Sequence, residues 1–210
     1  MPYFYNSMQE ENHIPADRYR SISAPSTGVY KDNGSKFLAF AYPVESEEEV
    51  RERIAALRKE YFDARHHCYA WRLGLHGEPW RTNDDGEPSS TAGRPILGQL
   101  LSAGLSDILV VVVRYFGGVK LGVPGLIKAY RTATAEALAA AAVVEKTACA
   151  TCRIGFGYAR MNDVMKVIKE MDLKVLSQRF ENDCEITVKV GLAKVDTFCE
   201  TLRWASVEII

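Results

Sequence analysis

Hydrophobic and polar positions change period several times along the chain, and each change marks an element. Residues 21–29 and 35–43 read as strands and flank Lys31-Asp32-Asn33-Gly34. Asn-Gly between two β-compatible runs is a strong hairpin signal, because a tight primed turn needs positive φ at its centre. Ser46 with Glu49 forms a capping box. Val50, Ile54, Leu57 and Tyr61 then recur at helical spacing, which predicts an amphipathic helix over 47–62. Residues 66–75 read as a strand. Residues 76–92 are rich in turn formers and read as one long loop, of a length that is often functional. Pro95 opens a short helix bearing Ile96, Leu97, Leu100 and Leu101, which Gly104 stops. Ile108–Val113 has no polar position, as in a strand covered on both faces. A glycine-rich turn from Arg114 to Gly122 then leads through Pro124 into an Ala-rich helix over 126–142.

Beyond residue 144 the pattern predicts strand 147–156, helix 159–171, strand 173–181, a turn at Glu181-Asn182-Asp183, strand 184–191, helix 194–205 and strand 206–210. That is β-α-β-β-α-β, the ferredoxin-like order. The expected fold class is α+β with two domains. Residues 1–145 form an N-terminal α+β sandwich. Residues 146–210 form a separable domain with a four-stranded antiparallel sheet and two helices on one face.

Composition narrows the function classes. Hydrophobic residues make up 47% and charged residues 25%, so a packed core is within reach. The 26 basic and 27 acidic side chains nearly cancel, so any anion binding must come from a local patch rather than a basic coat. No apolar run approaches the roughly 18 residues of a membrane helix. The opening MPYFYNSMQEENHIP lacks a basic stretch followed by a long apolar one, so no signal peptide is expected. Five cysteines (Cys68, Cys149, Cys152, Cys184 and Cys199), an odd count, point to free thiols in a reducing cytoplasm.

Three stretches carry candidate chemistry. The strand–turn–helix over 108–130 sets Arg114 at a strand end and Lys120 in a glycine-rich turn ahead of a helix start, where an anion can rest. It is not a Walker loop or a dinucleotide fingerprint, since Gly122 is followed by Val-Pro and G-x-G-x-x-G is absent. A tight connection whose glycines serve only geometry is the plain alternative. The acidic stretch DDGEPSSTAGRPILG, residues 84–98, lacks EF-hand spacing, so no metal is expected. Asp84 with Glu87 as an acid–base pair lacks a visible nucleophile. The electrostatic reading pairs Asp84, Asp85 or Glu87 with Arg94, Arg114 or Lys120 and so fixes the loop against the glycine turn. Finally, His66 and Cys68 share one face of a strand. They are too few for a zinc site and read best as satisfied core residues. Cys149-x-x-Cys152 opens a strand, where positions i and i+3 face opposite sides, and reads as incidental.

HHCYAWRLG (66–74), DDGEPSSTAGRPIL (84–97) and VVVVRYFGGVKLGVPGLIKAY (110–130) closely resemble the Impact family, including its bacterial YigZ-like members. The resemblance covers about residues 20–142. It implies a first domain similar to the second domain of a small-subunit ribosomal protein, and a C-terminal domain similar to one in elongation factor G. It also implies a link to translation, since the eukaryotic members are regulators that bind a ribosome-associated scaffold and restrain an initiation-factor kinase. Motif residues carry over to His66, Cys68, Asp84, Asp85, Gly86, Glu87, Pro88, Thr91, Ala92, Gly93, Arg94 and Pro95. In the third block they carry over to Arg114, Tyr115, Phe116, Gly117, Gly118, Lys120, Leu121, Gly122, Gly125 and Leu126. The chain departs from the pattern at Ser90, where a glycine is usual, and at Val123-Pro124, where Thr-Gly is usual. The second departure removes a hydroxyl and an N–H from the helix start.

The leading expectation is a translation-associated protein that contacts RNA, the ribosome or a translation factor without turnover, and without cofactor, metal or membrane. Arg114, Gly117, Gly118, Lys120 and Gly122 would meet phosphate. Asp84, Asp85, Glu87 and Arg94 would position the loop. His66, Cys68 and Tyr115 are secondary candidates. An enzyme acting on a phosphorylated or small acidic substrate in the same cleft, and a protein–protein adaptor using Tyr115 and Phe116, are the alternatives.

Overall fold

The computed structural model describes residues 17–181 and 183–210; the N-terminal stretch read for a leader, and Asn182 of the predicted turn, lie outside them. The chain divides into two compact units: Tyr19–Ala148, and Cys149–Ile210 together with residues 17–18. The fold class is α+β.

Five strands build the main sheet of the first unit: β2 (Ser26–Asp32), β3 (Ser35–Pro43), β4 (His66–Arg72), β5 (Trp80–Asn83) and β6 (Ile108–Tyr115), in the order β2-β3-β6-β4-β5. Every neighbouring pair is antiparallel. The hairpin turn between β2 and β3 has Asn33 and Gly34 at φ 45° and 77°, the conformation that made Asn-Gly informative. Helix α1 (Glu47–Glu60) starts at Ser46, whose hydroxyl accepts from the Glu49 amide. The Glu49 carboxylate reaches back to the Glu45 amide, one residue earlier than a standard capping box.

β6 is apolar at every position from Ile108 to Val113 because both of its faces are covered. Ile108, Val110 and Val112 pack with Phe37, Ala39, Cys68 and Ala70 beneath helices α2 (Gly93–Ser102) and α3 (Gly122–Ala139). Leu109, Val111 and Val113 pack with Trp71, Val50 and Leu57 beneath α1. The alternation continues past the apolar run. Arg114 points to the α2/α3 side and Tyr115 to the α1 side.

Two further strands of the first unit, β1 (Arg18–Ile22) and β7 (Val143–Thr147), pair with each other. Several expected boundaries shift. The strand predicted over 21–29 is two strands interrupted at Ser23–Pro25, where Pro25 has no N–H to give a ladder. The stretch 76–92 is not one loop, because β5 pairs with β4 along Trp80–Asn83. A four-residue exposed edge strand has no apolar alternation to announce it. The strand expected from 147 is preceded by β7, which belongs to the other sheet. Of the leucines on α2, Leu97 and Leu100 are buried and Leu101 is exposed.

The second unit contains β8 (Cys149–Gly157), α4 (Met161–Glu170), β9 (Lys174–Phe180), β10 (Asp183–Gly191), α5 (Val195–Thr201) and β11 (Ser206–Ile209). Its antiparallel sheet has the order β11-β8-β10-β9, the ferredoxin-like arrangement. Cys152, Ile154, Ile186 and Val188 face inward against Val164 and Ile168 of α4, Phe198 of α5 and Leu202 just beyond it. The other face carries an ion-pair ladder across all four strands. Arg153 bonds Glu208 at 3.0 Å and lies 3.8 Å from Glu185, which in turn lies 3.9 Å from Arg179.

Candidate functional site

The sequence motifs converge at one end of the main sheet, on the α2/α3 side. The register sets His66 directly beside Arg114 across β4 and β6, and Phe37 beside Arg114 across β3 and β6. Arg114 is buried. Its Nη1 donates to Glu87 Oε1 at 2.6 Å, and the Tyr130 hydroxyl donates to the same oxygen at 2.8 Å. The guanidinium also lies 5.3 Å from the Phe37 ring centroid and 5.6 Å from that of Phe116. Of the expected pairings between the acidic loop and the cations, this is the one that forms, and it ties the loop to β6 and α3 together.

The other two carboxylates have different partners. Asp84 accepts from the Ser90, Ala92 and Gly93 amides at 2.8, 3.0 and 2.8 Å, so it caps the start of α2 from eight residues upstream. Asp85 accepts from the His67 amide and from Arg58 of α1, both at 2.6 Å. Burial raises the Asp85 pKa, but the His67 amide and the Arg58 guanidinium outweigh that and hold it below its ordinary value. Arg94 is exposed and pairs with none of the three. Arg58 and Tyr130 are the partners that sequence reasoning missed. Tyr130 carried one signal: a lone phenol on the apolar α3 stripe Leu126–Ala129–Ala133–Ala137 needs a buried acceptor. Arg58, on the exposed side of an amphipathic helix, carried none.

Cys68 donates to the Asp84 carbonyl at 3.0 Å and to the Tyr130 hydroxyl at 3.3 Å, and it has no exposed surface. Burial pushes up both the Cys68 thiol and the Tyr130 phenol, so neither is an activated nucleophile. His66 Nδ1 sits 2.8 Å from the Asp85 carbonyl oxygen. Tyr115 donates to Asp63 at 2.8 Å on the α1 side and does not reach the site.

The glycine turn divides by role. A Cβ on Gly117 would meet Gly34 and Ser35 backbone atoms at 1.9–2.4 Å, so this glycine lets the turn pack on the β2–β3 hairpin. Its amide donates to Ser35 Oγ at 3.1 Å and is not available to a ligand. Gly118 and Gly122, at φ 91° and 66°, need glycine for conformation. Gly122 opens α3, with Pro124 two residues on removing one helix-start donor. What remains is a cleft of about 440 Å³, walled by Pro88, Phe116, Leu121, Val123 and Leu126 and edged by Arg65, His66 and Lys120, with the Glu87–Arg114 pair among its lining. Arg65 and Lys120 are exposed and have no ion-pair partner among the described residues.

Acid should loosen this end of the sheet. His67 is buried, and burial, reinforced by Arg58 against the opposing pull of Asp85, lowers its pKa from 6.5. The fold therefore favours neutral His67; that contribution is present above pH 6.5 and is lost as pH falls toward the folded value. Asp85, also lowered, contributes above its ordinary 3.8 and loses that contribution as pH falls through its folded value. Both slopes have the same sign. Thermal melts should show stability declining first just below pH 6.5, and His67→Gln should remove that first decline while leaving the more acidic one. Melting temperatures that rise on acidification from neutrality would contradict this.

The fold and this motif-lined cleft define a two-unit α+β protein with an Impact-type first domain. Residues 33–138 match the Impact N-terminal domain, and the chain belongs to the Impact family. It is similar to the Escherichia coli protein called IMPACT family member YigZ, with 32% identity over 182 residues, 86% of this chain and 89% of that one. A crystal structure of a hypothetical protein superposes with a TM-score of 0.73 at 30% identity, covering 92% of this chain and 98% of its own. The two-domain translational regulator Yih1 is 27% identical over 67% of this chain and 55% of its own, with a TM-score of 0.35.

Proposed function

We propose that this is a translation-associated binding protein whose first unit holds single-stranded RNA in the cleft, without chemical turnover. The observation that carries this is the charge state of the cleft. Its one carboxylate among the described residues, Glu87, is committed to Arg114 and Tyr130, while Arg65 and Lys120 stand exposed on the rim. A surface with a net charge of only -1 thus keeps a local cationic edge. Beside it, Phe116 is 48% exposed, enough ring face for a base to stack on. Cations beside an aromatic platform are what non-specific single-strand binding uses, at roughly 1–3 kcal/mol per stacked base. Membership in the Impact family supports the translational context.

Arg114 has a different part from the one expected of it. It is a buried brace rather than a phosphate ligand, and Lys120 and Arg65 take the ligand role. The open sheet face of the second unit is a poor RNA platform. Its central strands carry Arg153 and Glu185 in an ion-pair ladder where a ferredoxin-like RNA binder displays aromatics. An enzymatic reading is weaker, since the buried thiol and phenol have raised pKa values and His66 is engaged by a backbone carbonyl.

The test is ultraviolet crosslinking of the full-length protein to uridine-rich single-stranded RNA, read by mass spectrometry of the crosslinked peptides. The crosslink is expected on Phe116 or on the adjoining 117–123 peptide. Crosslinks confined to the second unit, at Tyr158 or Phe180 for example, contradict the reading, and so does the absence of any crosslink at low salt.

A further inference from the structure

A second concavity, of about 500 Å³, lies between α2 and α3. Two facing helical stripes form it. Arg94, Gly98 and Ser102 are spaced four apart on α2; Ile127 and Arg131 continue on α3 the stripe that begins with Val123 in the cleft. At 1.5 Å per residue, the α3 stripe from Val123 to Arg131 is about 12 Å long. The acidic loop runs the same way, with Pro88 in the cleft and Ser90 in the groove. No carboxylate among the described residues lines the groove. Arg94 and Arg131 are exposed and have no ion-pair partner among the described residues.

We infer that the cleft and this groove form one track, in which Arg94 and Arg131 hold the phosphates of an RNA strand as it leaves the Lys120 cleft. This rests on the cleft reading above and adds to it a direction and a length for the ligand. A strand of two or three nucleotides is held by the cleft alone, whereas a longer strand engages both cation pairs. Arg94 then has a role that its missing carboxylate partner leaves open, and Ser90, Ser102 and Gln99 offer the donors and acceptors that a 2′-hydroxyl can use. RNA is favoured over an acidic peptide because the track begins at the exposed Phe116 ring, on which a base stacks.

Gly98 supplies a clean way to close the groove. A Cβ placed on it meets nothing within 4 Å, and it sits inside a helix, so Gly98→Glu puts a bulky anion on the groove floor without disturbing the core. The experiment titrates fluorescent uridine trimer and dodecamer into wild type, Gly98→Glu, Arg94→Ala/Arg131→Ala and Lys120→Ala over a range of salt, with thermal melts of each. Wild type is expected to bind the dodecamer more tightly than the trimer. Arg94→Ala/Arg131→Ala should lose most of that difference and flatten the dodecamer's salt slope by about 1.4, two single-strand contacts at about 0.7 each. Gly98→Glu should lose the difference too, and both variants should melt like wild type. Lys120→Ala should weaken both ligands. The track is overturned if wild type does not distinguish the two lengths, or if both groove variants bind the dodecamer as wild type does. In that case a Lys120→Ala loss on the trimer leaves the cleft reading standing, and undetectable wild-type binding removes both. A polyglutamate dodecamer that competes as well as the RNA overturns the proposal in favour of an acidic-peptide site.

Discussion

Arg114→Ala should cost the protein about 3–5 kcal/mol of stability, the range for removing one partner of a buried ion pair. Arg114 and Glu87 side chains are only 7% and 4% exposed, and their 2.6 Å bond is the contact that neutralises both. Removing the guanidinium strands the Glu87 carboxylate in the core with the Tyr130 hydroxyl as its one side-chain donor among the described residues. It also leaves a void against Phe37 and Phe116. A loss of this size lowers the melting temperature by about 10–20 °C for a unit of this length. The paired variant Arg114→Met/Glu87→Gln should be less damaging than Arg114→Ala, because it leaves no isolated charge and keeps the volume. The measurement is thermal and denaturant unfolding of the three proteins. Arg114→Ala melting within a degree or two of wild type would falsify the brace assignment and return Arg114 to the list of ligand-binding cations.

The same pair shows what the sequence made legible. Opposite charges on two neighbouring motifs suggested that the acidic loop would fold on the glycine turn, and Glu87 does so through Arg114. Local signals were legible wherever they rest on backbone conformation or period: the Asn33-Gly34 turn, the Ser46–Glu49 cap and the unbroken apolar run of β6. The partners of Asp84 and Asp85 were hidden for a different reason. Asp84 serves backbone amides at 90, 92 and 93, and a capping side chain eight residues from its helix leaves no local pattern. Asp85 pairs with Arg58 across 27 residues, on a helix face that reads as solvated. β5 was hidden because a short exposed edge strand lacks periodicity. Arg65 was hidden because a single exposed cation ahead of a strand has no local pattern. The β4–β6 register, which sets His66 beside Arg114, is what brings it to the rim.

Without a threonine and with Pro124 at the third position of α3, the helix start offers few donors. Affinity for an anion must then come from side chains at the rim. Lys120 is the cation best placed to supply it, being exposed, at the cleft mouth and outside every ion pair among the described residues.

The central claim is therefore tested most directly by the salt dependence of RNA binding for wild type and Lys120→Glu. The substitution removes one cation and sets a like charge against phosphate, so at about 0.1 M salt binding should weaken on the order of tenfold, and the log–log salt slope should flatten by about 0.7 or more. Lys120 is exposed and outside every ion pair among the described residues, so the variant's melting curve should overlay that of wild type. Wild-type binding that tightens as salt falls, together with a weakened and flattened Lys120→Glu curve at unchanged stability, is the result the account predicts. Identical affinity and slope for the two proteins, or wild-type binding indifferent to salt, would contradict it.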